Sequence, residues 1–176
     1  LKALEVDIVT GDALDPESVK QAFTSAPFRA AISVLGGHGG DYRVDFEGNK
    51  NVVDATMDVG VPRLILVTAV GAGDSAPVVP WYVRPFLKDY YAAKTVAEDY
   101  LRASDLDYTV IRPGLLIDRT TLGEPALIAG PARFSAITRA DLGKLVADTV
   151  EDQTTFKKVL TAYDAKRASL WSILTY

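Results

Sequence analysis

The sequence predicts an α/β domain built on a parallel sheet, and two observations lead to this prediction. Short runs rich in β-branched residues alternate with longer stretches of helical periodicity, the pattern of repeated β-α-β units. Two of the runs, AAISVL and RLILV, are nearly continuous apolar segments, as expected of strands covered on both faces. With 176 residues, of which 48% are hydrophobic, the chain is long enough for one domain with a sizeable core.

The predicted strands are short, apolar or β-branched, and cover residues 4–11, 30–35, 63–70, 107–113 and 157–163. Helical patterns lie between them, over 15–26, 41–60, a segment that begins at Tyr90, and 138–152. Asp15 before Pro16 and Thr138 at the last helix are typical N-caps, and Gly60 is placed to end the second helix. Residues 71–85 and 114–137 are predicted to be irregular. Both segments follow the carboxyl end of a strand, the sheet edge where α/β domains bind ligands.

Composition excludes several classes of function. The chain has no cysteine, which removes disulfides and thiol chemistry, and its single histidine, His38, argues against a histidine-built zinc site. The net charge of −4 argues against a nucleic-acid partner. No apolar run has the length of a membrane span and no signal peptide is visible. We therefore expect a cytoplasmic protein, and the alternative is the mature part of a targeted one.

Two glycine-rich segments resemble phosphate loops, and we interpret neither as one. GAGDSA (71–76) fits the dinucleotide fingerprint literally, but Pro77 and Pro80 follow where a helix should begin. GGHGGD (36–41) precedes a helix, but that helix begins with acidic residues, and Tyr42 occupies the place of the third glycine. We expect this second segment to be a crossover loop, whose glycines still permit close approach of a ligand to the backbone.

The ordered set VTGDALDPESVKQAF, AAISVLGG, FEGNKNVVDATMDVGVPRLILVTAVGA, YYAAKTVAEDYLRASDLDYTVIRPG and ITRADLGKLVAD resembles the atypical short-chain dehydrogenase/reductases. The resemblance covers about residues 5 to 163 and is closest to the NmrA-like, NAD(P)-binding branch. It implies a Rossmann-like doubly wound parallel sheet, starting at about the third strand, over the whole of residues 1–176. It also implies that a preceding strand, pyrophosphate loop, helix and strand are absent from this chain.

Tyr90 and Lys94 have the Tyr-x-x-x-Lys spacing of that family. The residues alone favour a half-buried tyrosine beside a surface lysine that pairs with Glu98, because four residues apart on a helix puts side chains on one face. The resemblance implies instead that Tyr90 donates a proton, that Lys94 lowers the pKa of Tyr90 and binds the cofactor ribose, and that Thr68 is the third catalytic residue. Thr68 and Lys94 would then also contact the cofactor.

Other cofactor contacts are implied by the same resemblance. Asp12 and Ala13 are expected at the adenine, and Leu35, Gly36 and Gly37 at the adenine ribose. Pro113 and Gly114 are expected beside the nicotinamide. The alternatives are a plain turn at Asp12 and a strand-ending turn at Pro113–Gly114. Asn51 is interpreted as structural.

The function that follows is an NAD(P)-dependent oxidoreductase or epimerase-like protein using NADP or NAD, with NADP preferred. The alternative is a non-catalytic dinucleotide-binding regulator or assembly subunit of the same fold, since fold alone does not fix function. The substrate is a small molecule that the sequence does not identify. An oligomer is possible, and the aromatic residues of the proline-rich loop suit either a substrate wall or an oligomer contact: Trp81, Tyr82 and Phe86.

Overall fold

The computed structural model describes residues 6–37, 40–118, 123–130 and 132–167. Its central sheet contains β1 (Ala31–Ser33), β2 (Arg63–Val67), β3 (Asp107–Pro113), β5 (Pro125–Ile128) and β7 (Lys158–Asp164), in the order β1-β2-β3-β7-β5. Strands β1, β2, β3 and β7 run parallel to one another, and β5 pairs antiparallel to β7. A second, two-stranded parallel sheet joins β4 (Leu115–Ile117) to β6 (Ala136–Thr138). This architecture confirms the predicted α/β fold class.

Within the described residues, four α-helices flank the sheet: α1 (Pro16–Phe23), α2 (Asn49–Asp58), α3 (Lys88–Arg102) and α4 (Arg139–Thr149). A π-helical turn, Val44–Gly48, leads directly into α2. The predicted caps are confirmed: the Asp15 side chain accepts a hydrogen bond from the Glu17 N–H, and the Thr138 hydroxyl accepts one from the Asp141 N–H. Gly60 follows α2 with a φ of +76°, a left-handed conformation that glycine adopts readily.

The apolar run of β2 is buried on both faces, as predicted. Leu64 and Leu66 pack with Leu101 of α3 on one face, while Ile65 and Val67 pack with residues of α4 on the other. Alternate side chains of a strand point to opposite faces, so one continuous apolar run supplies both layers of the core.

Two predictions about secondary structure are wrong. Within the described part of the predicted strand at 4–11, residues 6–11 form no strand, because no described strand lies beside them to complete a ladder. The described sheet therefore starts one strand later in the chain than predicted. The segment 114–137 is not wholly irregular, since it contains β4, β5 and β6. These strands have three or four residues and distant partners, so local periodicity does not reveal them.

Candidate functional site

The predicted site residues converge on one edge of the sheet. Leu35–Gly37 follow β1, Thr68 follows β2, and Pro113–Gly114 end β3. Because these strands are parallel, their carboxyl ends meet at the same edge. In open α/β sheets this edge is where ligands bind.

A cavity of about 290 Å³ lies beside the carboxyl end of β1, and Asp12, Ala13 and Leu35 all line it. The Asp12 Oδ1 atom accepts a hydrogen bond of 2.9 Å from the Leu14 N–H, which fixes a turn. The Ala13 carbonyl accepts one of 2.9 Å from the Asn51 side-chain amide, so Asn51 ties this turn to α2. The structure therefore brings Asp12 and Ala13 together with Leu35, which comes from another segment of the chain. It also places Asn51 in a structural contact.

Lys94 is buried next to Leu35, with a side chain only 4% exposed. Its Nζ lies 2.9 Å from Asp45 Oδ1 and donates a hydrogen bond of 2.7 Å to the Leu35 carbonyl. The other Asp45 oxygen accepts a hydrogen bond of 2.8 Å from the Gly37 N–H. The interpretation of Lys94 as a surface lysine paired with Glu98 is therefore wrong.

Asp45 is a residue that the sequence analysis missed. It is one of the acidic residues at the start of the second predicted helix, and its side chain is fully buried. No local signal identifies it, because its partners Lys94 and Gly37 come from other segments of the chain.

Tyr90 lies half-buried between aromatic rings. The ring centroid of Tyr42 is 5.8 Å from that of Tyr90 and the centroid of Tyr91 is 5.3 Å away, while Lys94 Nζ lies 5.8 Å from the Tyr90 ring. Burial, followed by the nearby charge of Asp45, raises the pKa of Tyr90 to about 12. The prediction that Lys94 lowers this pKa is therefore wrong. Desolvation disfavours the phenolate, and the negative charge of Asp45 adds to this effect.

Thr68 occupies a different cluster. Its hydroxyl donates a hydrogen bond of 2.6 Å to Glu98 Oε1, and the same oxygen accepts one of 3.0 Å from Arg112 Nε. Glu98 follows Tyr90 by two turns of α3, about 12 Å along the helix axis. The Thr68 hydroxyl thus ties β2 to α3 at Glu98, and its role as the third catalytic residue stays a prediction.

The remaining predicted contacts are backbone positions with little room for side chains. The Pro113 carbonyl accepts a hydrogen bond of 2.8 Å from the Val70 N–H. A Cβ atom on Gly114 would lie 2.0 Å from the Ser135 carbonyl oxygen, and one on Gly37 would lie 1.9 Å from that of Asp41. At Gly36 a Cβ atom would make only ordinary contacts, the nearest at 3.5 Å. Gly37 and Gly114 are therefore required by packing.

The structure describes the two glycine-rich segments that we did not interpret as phosphate loops to different extents. Gly73–Val78, within the first, forms a 3₁₀ helix that contains Pro77, so this segment opens no α-helix. In the second, His38 lies outside the described residues. Three aromatic side chains near the start of α3 are exposed, which leaves both of their predicted roles open: Trp81, Tyr82 and Phe86.

An open parallel sheet with a cavity at its carboxyl edge is the arrangement of a dinucleotide-binding domain. The chain belongs to the NAD(P)H-binding family, which matches residues 1–153. It is 33% identical over 112 residues to a Bacillus subtilis protein named uncharacterized sugar epimerase YhfK, covering 64% of this chain and 50% of that protein. It is 25% identical over 190 residues to the Arabidopsis thaliana protein TIC 62, chloroplastic, covering 95% of this chain and 29% of that protein.

Among solved structures, ChuY, an anaerobillin reductase from Escherichia coli O157:H7, superimposes with a TM-score of 0.83 at 28% identity. The match covers 93% of this chain and 78% of ChuY. These comparisons confirm the resemblance to atypical short-chain dehydrogenases and the NAD(P)-binding, oxidoreductase or epimerase-like fold. The chain spans 29% to 50% of the length of several curated relatives that it matches.

None of the described helices has the length and apolarity that a bilayer crossing requires. The described ranges also contain no group of three or more histidine, aspartate or glutamate residues placed to hold a metal ion.

Proposed function

We propose that the chain forms the dinucleotide-binding and catalytic region of an NAD(P)-dependent oxidoreductase. The observation that carries this proposal is the double role of Leu35. This residue lines the cavity, and its carbonyl accepts a hydrogen bond of 2.7 Å from Lys94 Nζ. Leu35 therefore links the predicted adenosine contacts to Lys94 of the Tyr90–Lys94 pair.

The residues around the cavity suit the adenosine part of a cofactor. Ligand pockets usually have volumes of roughly 300 to 1,000 Å³. A cavity of about 290 Å³ therefore suits part of a dinucleotide better than the whole. Asp12 uses one oxygen on the Leu14 N–H, and a carboxylate has about four acceptor sites, so it retains capacity for the adenine amine. Asp12, Ala13 and Leu35 would hold the adenosine.

The other proposed contacts follow the sheet edge. The backbone of Gly36 and Gly37 would pass the ribose beside Lys94, and Pro113–Gly114 would form the wall at the nicotinamide. In this proposal Thr68 supports α3 through Glu98 instead of contacting the substrate.

Tyr90 is the proposed proton donor. A bound nicotinamide supplies hydride transfer. The pKa of about 12 keeps the Tyr90 hydroxyl protonated at neutral pH, so it can donate a hydrogen bond to the oxygen of a substrate carbonyl. Lys94, held by Asp45, fixes the glycine turn beside the tyrosine.

The first experiment tests cofactor binding in the intact protein. Titration with NADPH and NADH, followed by nicotinamide fluorescence, should show binding. Ala22 of α1 lines the cavity, so Ala22→Leu should partly fill it and weaken binding at least about tenfold. Ala140→Leu, an exposed change on α4, is the matched control and should leave the affinity unchanged. Equal affinity in wild type and Ala22→Leu would contradict the adenosine assignment.

The second experiment tests catalysis. NADPH oxidation is followed with a panel of aldehydes, quinones and unsaturated ketones. With any acceptor that supports turnover, Tyr90→Phe should reduce the rate by roughly 10² to 10⁴-fold while cofactor affinity stays the same. A variant as fast as wild type would exclude Tyr90 as the proton donor.

The alternative function is a dinucleotide-binding regulator without turnover. One observation favours it: Lys94 is paired with Asp45, so Tyr90 lacks the acidifying charge that easy proton exchange needs. Cofactor binding that persists without turnover of any acceptor, and without an effect of Tyr90→Phe, would support this alternative.

We also propose NADP as the preferred cofactor. The carboxylate of Asp41, and more weakly those of Glu47 and Asp12, raise the pKa of Arg43. The contribution of Asp12, a proposed adenosine contact, supports a role for Arg43 at that site. An arginine near the adenine ribose suits a 2′-phosphate. Arg43→Ala should therefore weaken NADPH binding more than NADH binding. An unchanged ratio of the two affinities would argue against this preference.

Membership of the NmrA-like branch and a cytoplasmic location are further proposals. The order of the sequence motifs supports the first, and the cysteine-free globular composition supports the second. Fractionation of cells that express the tagged intact protein tests the location, and recovery in an organelle would refute it.

A further inference from the structure

Asp45 is a fully enclosed acidic side chain near the proposed site, and the proposed function names it only as the partner of Lys94. Its two oxygens have separate partners. Oδ1 lies 2.9 Å from Lys94 Nζ, and Oδ2 accepts a hydrogen bond of 2.8 Å from the Gly37 N–H. One carboxylate therefore connects α3 to the glycine turn that follows β1.

The backbone around Asp45 is itself held in place. Asp45 lies in the π-helical turn Val44–Gly48, and its carbonyl accepts a hydrogen bond of 2.9 Å from the Asn49 side-chain amide. The Asn49 Oδ1 atom in turn accepts a hydrogen bond of 2.5 Å from the Ser33 hydroxyl, on β1. This chain of contacts fixes Asp45 relative to β1, the strand that leads into the glycine turn.

We propose that Asp45 is a positioning residue of the dinucleotide site, which holds the Lys94 ammonium and the Gly37 amide together so that residues 35–37 keep the conformation that receives the cofactor ribose. This inference rests on the proposed function. It adds a residue whose role is to hold two predicted cofactor contacts without itself contacting the cofactor.

The geometry makes this role specific to the carboxylate. Burying a charge is costly unless it is paired and hydrogen-bonded, and Asp45 meets both conditions through Lys94 and Gly37. An asparagine of the same size can still accept from the Gly37 N–H, but it has no charge to hold Lys94. Asp45→Asn should therefore release Lys94 and, with it, the Leu35 carbonyl.

The test compares cofactor affinity in two variants of the intact protein. Asp45→Asn should weaken NADPH binding, measured by nicotinamide fluorescence, by about 10 to 100-fold, because the buried ion pair that holds Lys94 is lost. The matched control is Arg63→Met. Arg63 is a buried cation at the opposite edge of the sheet, where it donates to the Asp107 and Thr149 carbonyls. This control should lose thermal stability but bind NADPH as wild type does.

A spectroscopic measurement separates positioning from a purely structural role. Tyr90 is faced by Asp45 from the π-helical turn, by Lys94 from its own helix, and by the rings of Tyr42 and Tyr91. Without the Asp45 charge, Tyr90 should ionise at a lower pH than in wild type. The ultraviolet difference between Asp45→Asn and the Asp45→Asn/Tyr90→Phe double variant isolates that titration. If Tyr90 ionises at the same pH in Asp45→Asn as in wild type, the placement of the Asp45 charge beside Tyr90 is refuted.

The outcomes distinguish this inference from the proposed function. If wild type binds neither nucleotide, the proposed function fails and this inference fails with it. If wild type binds NADPH and folded Asp45→Asn binds within twofold, or Arg63→Met loses as much affinity, only the inference fails. Should Asp45→Asn not fold, Asn49→Leu displaces the Asp45 backbone without removing its charge. It should weaken NADPH binding in the same direction, and unchanged affinity would overturn the inference.

Discussion

Replacing Lys94 should destabilise the protein far more than replacing an ordinary helix-surface lysine. Lys94→Met leaves Asp45 buried without its counter-charge and removes the hydrogen bond of 2.7 Å to the Leu35 carbonyl. Removing one partner of a buried ion pair typically costs about 3 to 5 kcal/mol of unfolding free energy. That is a large part of the roughly 5 to 15 kcal/mol by which domains are stable.

A double-mutant cycle isolates the pair. Asp45→Asn/Lys94→Met removes both charges and keeps the side-chain volumes similar, so the double variant should be more stable than Lys94→Met alone. Replacing both members of a buried pair by neutral groups is often close to neutral. We expect a coupling energy of about 2 kcal/mol or more, measured by urea unfolding of the four proteins.

Lys20 provides the matched control for this cycle. Its Nζ lies 2.8 Å from Asp58 Oδ2, but the two side chains are 48% and 55% exposed. Exposed pairs of this geometry contribute about 0 to 1 kcal/mol, so Lys20→Met should change stability little. A loss of under 1 kcal/mol in Lys94→Met, or one equal to that in Lys20→Met, would refute the argument that the buried pair holds the site together.

Three further predictions concern alkaline pH, glycine and capping. The pKa of Tyr90 is raised to about 12 in the folded protein, above the unfolded value of 10.0, so its contribution is present below about pH 10 and is lost between about pH 10 and 12. In urea unfolding at several pH values, Tyr90→Phe should lose less stability than wild type across that window, by on the order of 2 kcal/mol. Identical profiles of stability against pH in the two proteins would contradict the raised pKa of Tyr90. Gly143→Ala, in α4 with open space around the added methyl group, should stabilise the protein by about 0.5 to 1 kcal/mol, whereas Gly37→Ala should destabilise it because the new Cβ would lie 1.9 Å from the Asp41 carbonyl oxygen. Thermal denaturation measures both, and a stable Gly37→Ala protein would argue against the close approach. Asp15→Ala removes the acceptor for the Glu17 N–H and should cost about 1 kcal/mol in urea unfolding, with no loss if the cap is absent in solution.

The sequence alone was sufficient for the elements whose signals are local. The apolar run 63–67 predicted a strand buried on both faces, and the caps at Asp15, Gly60 and Thr138 follow from side chains or backbone adjacent to the helix ends. The convergence of Leu35, Thr68 and Pro113 on one edge also followed from the sequence, because parallel strands place their carboxyl ends together.

The strands at 115–117, 125–128 and 136–138 were not predictable in the same way. Each is three or four residues long and depends on a partner from another segment, so no periodicity within the run distinguishes it from a loop. The segment at 6–11 shows the converse. Its alternating apolar residues favour a strand, but within the described chain there is no neighbouring strand to accept its hydrogen bonds.

The sequence determined that Tyr90 and Lys94 share a helix face, because four residues make slightly more than one turn. Only the tertiary structure decided what surrounds them. It placed Asp45 within 2.9 Å of Lys94 and Glu98 within 2.6 Å of Thr68, so that the ammonium is paired and the threonine hydroxyl is bonded to α3. Charges interact through space, and desolvation depends on every neighbour. The pKa of Tyr90 and the contacts of Lys94 were therefore fixed by residues that lie far from them in the chain.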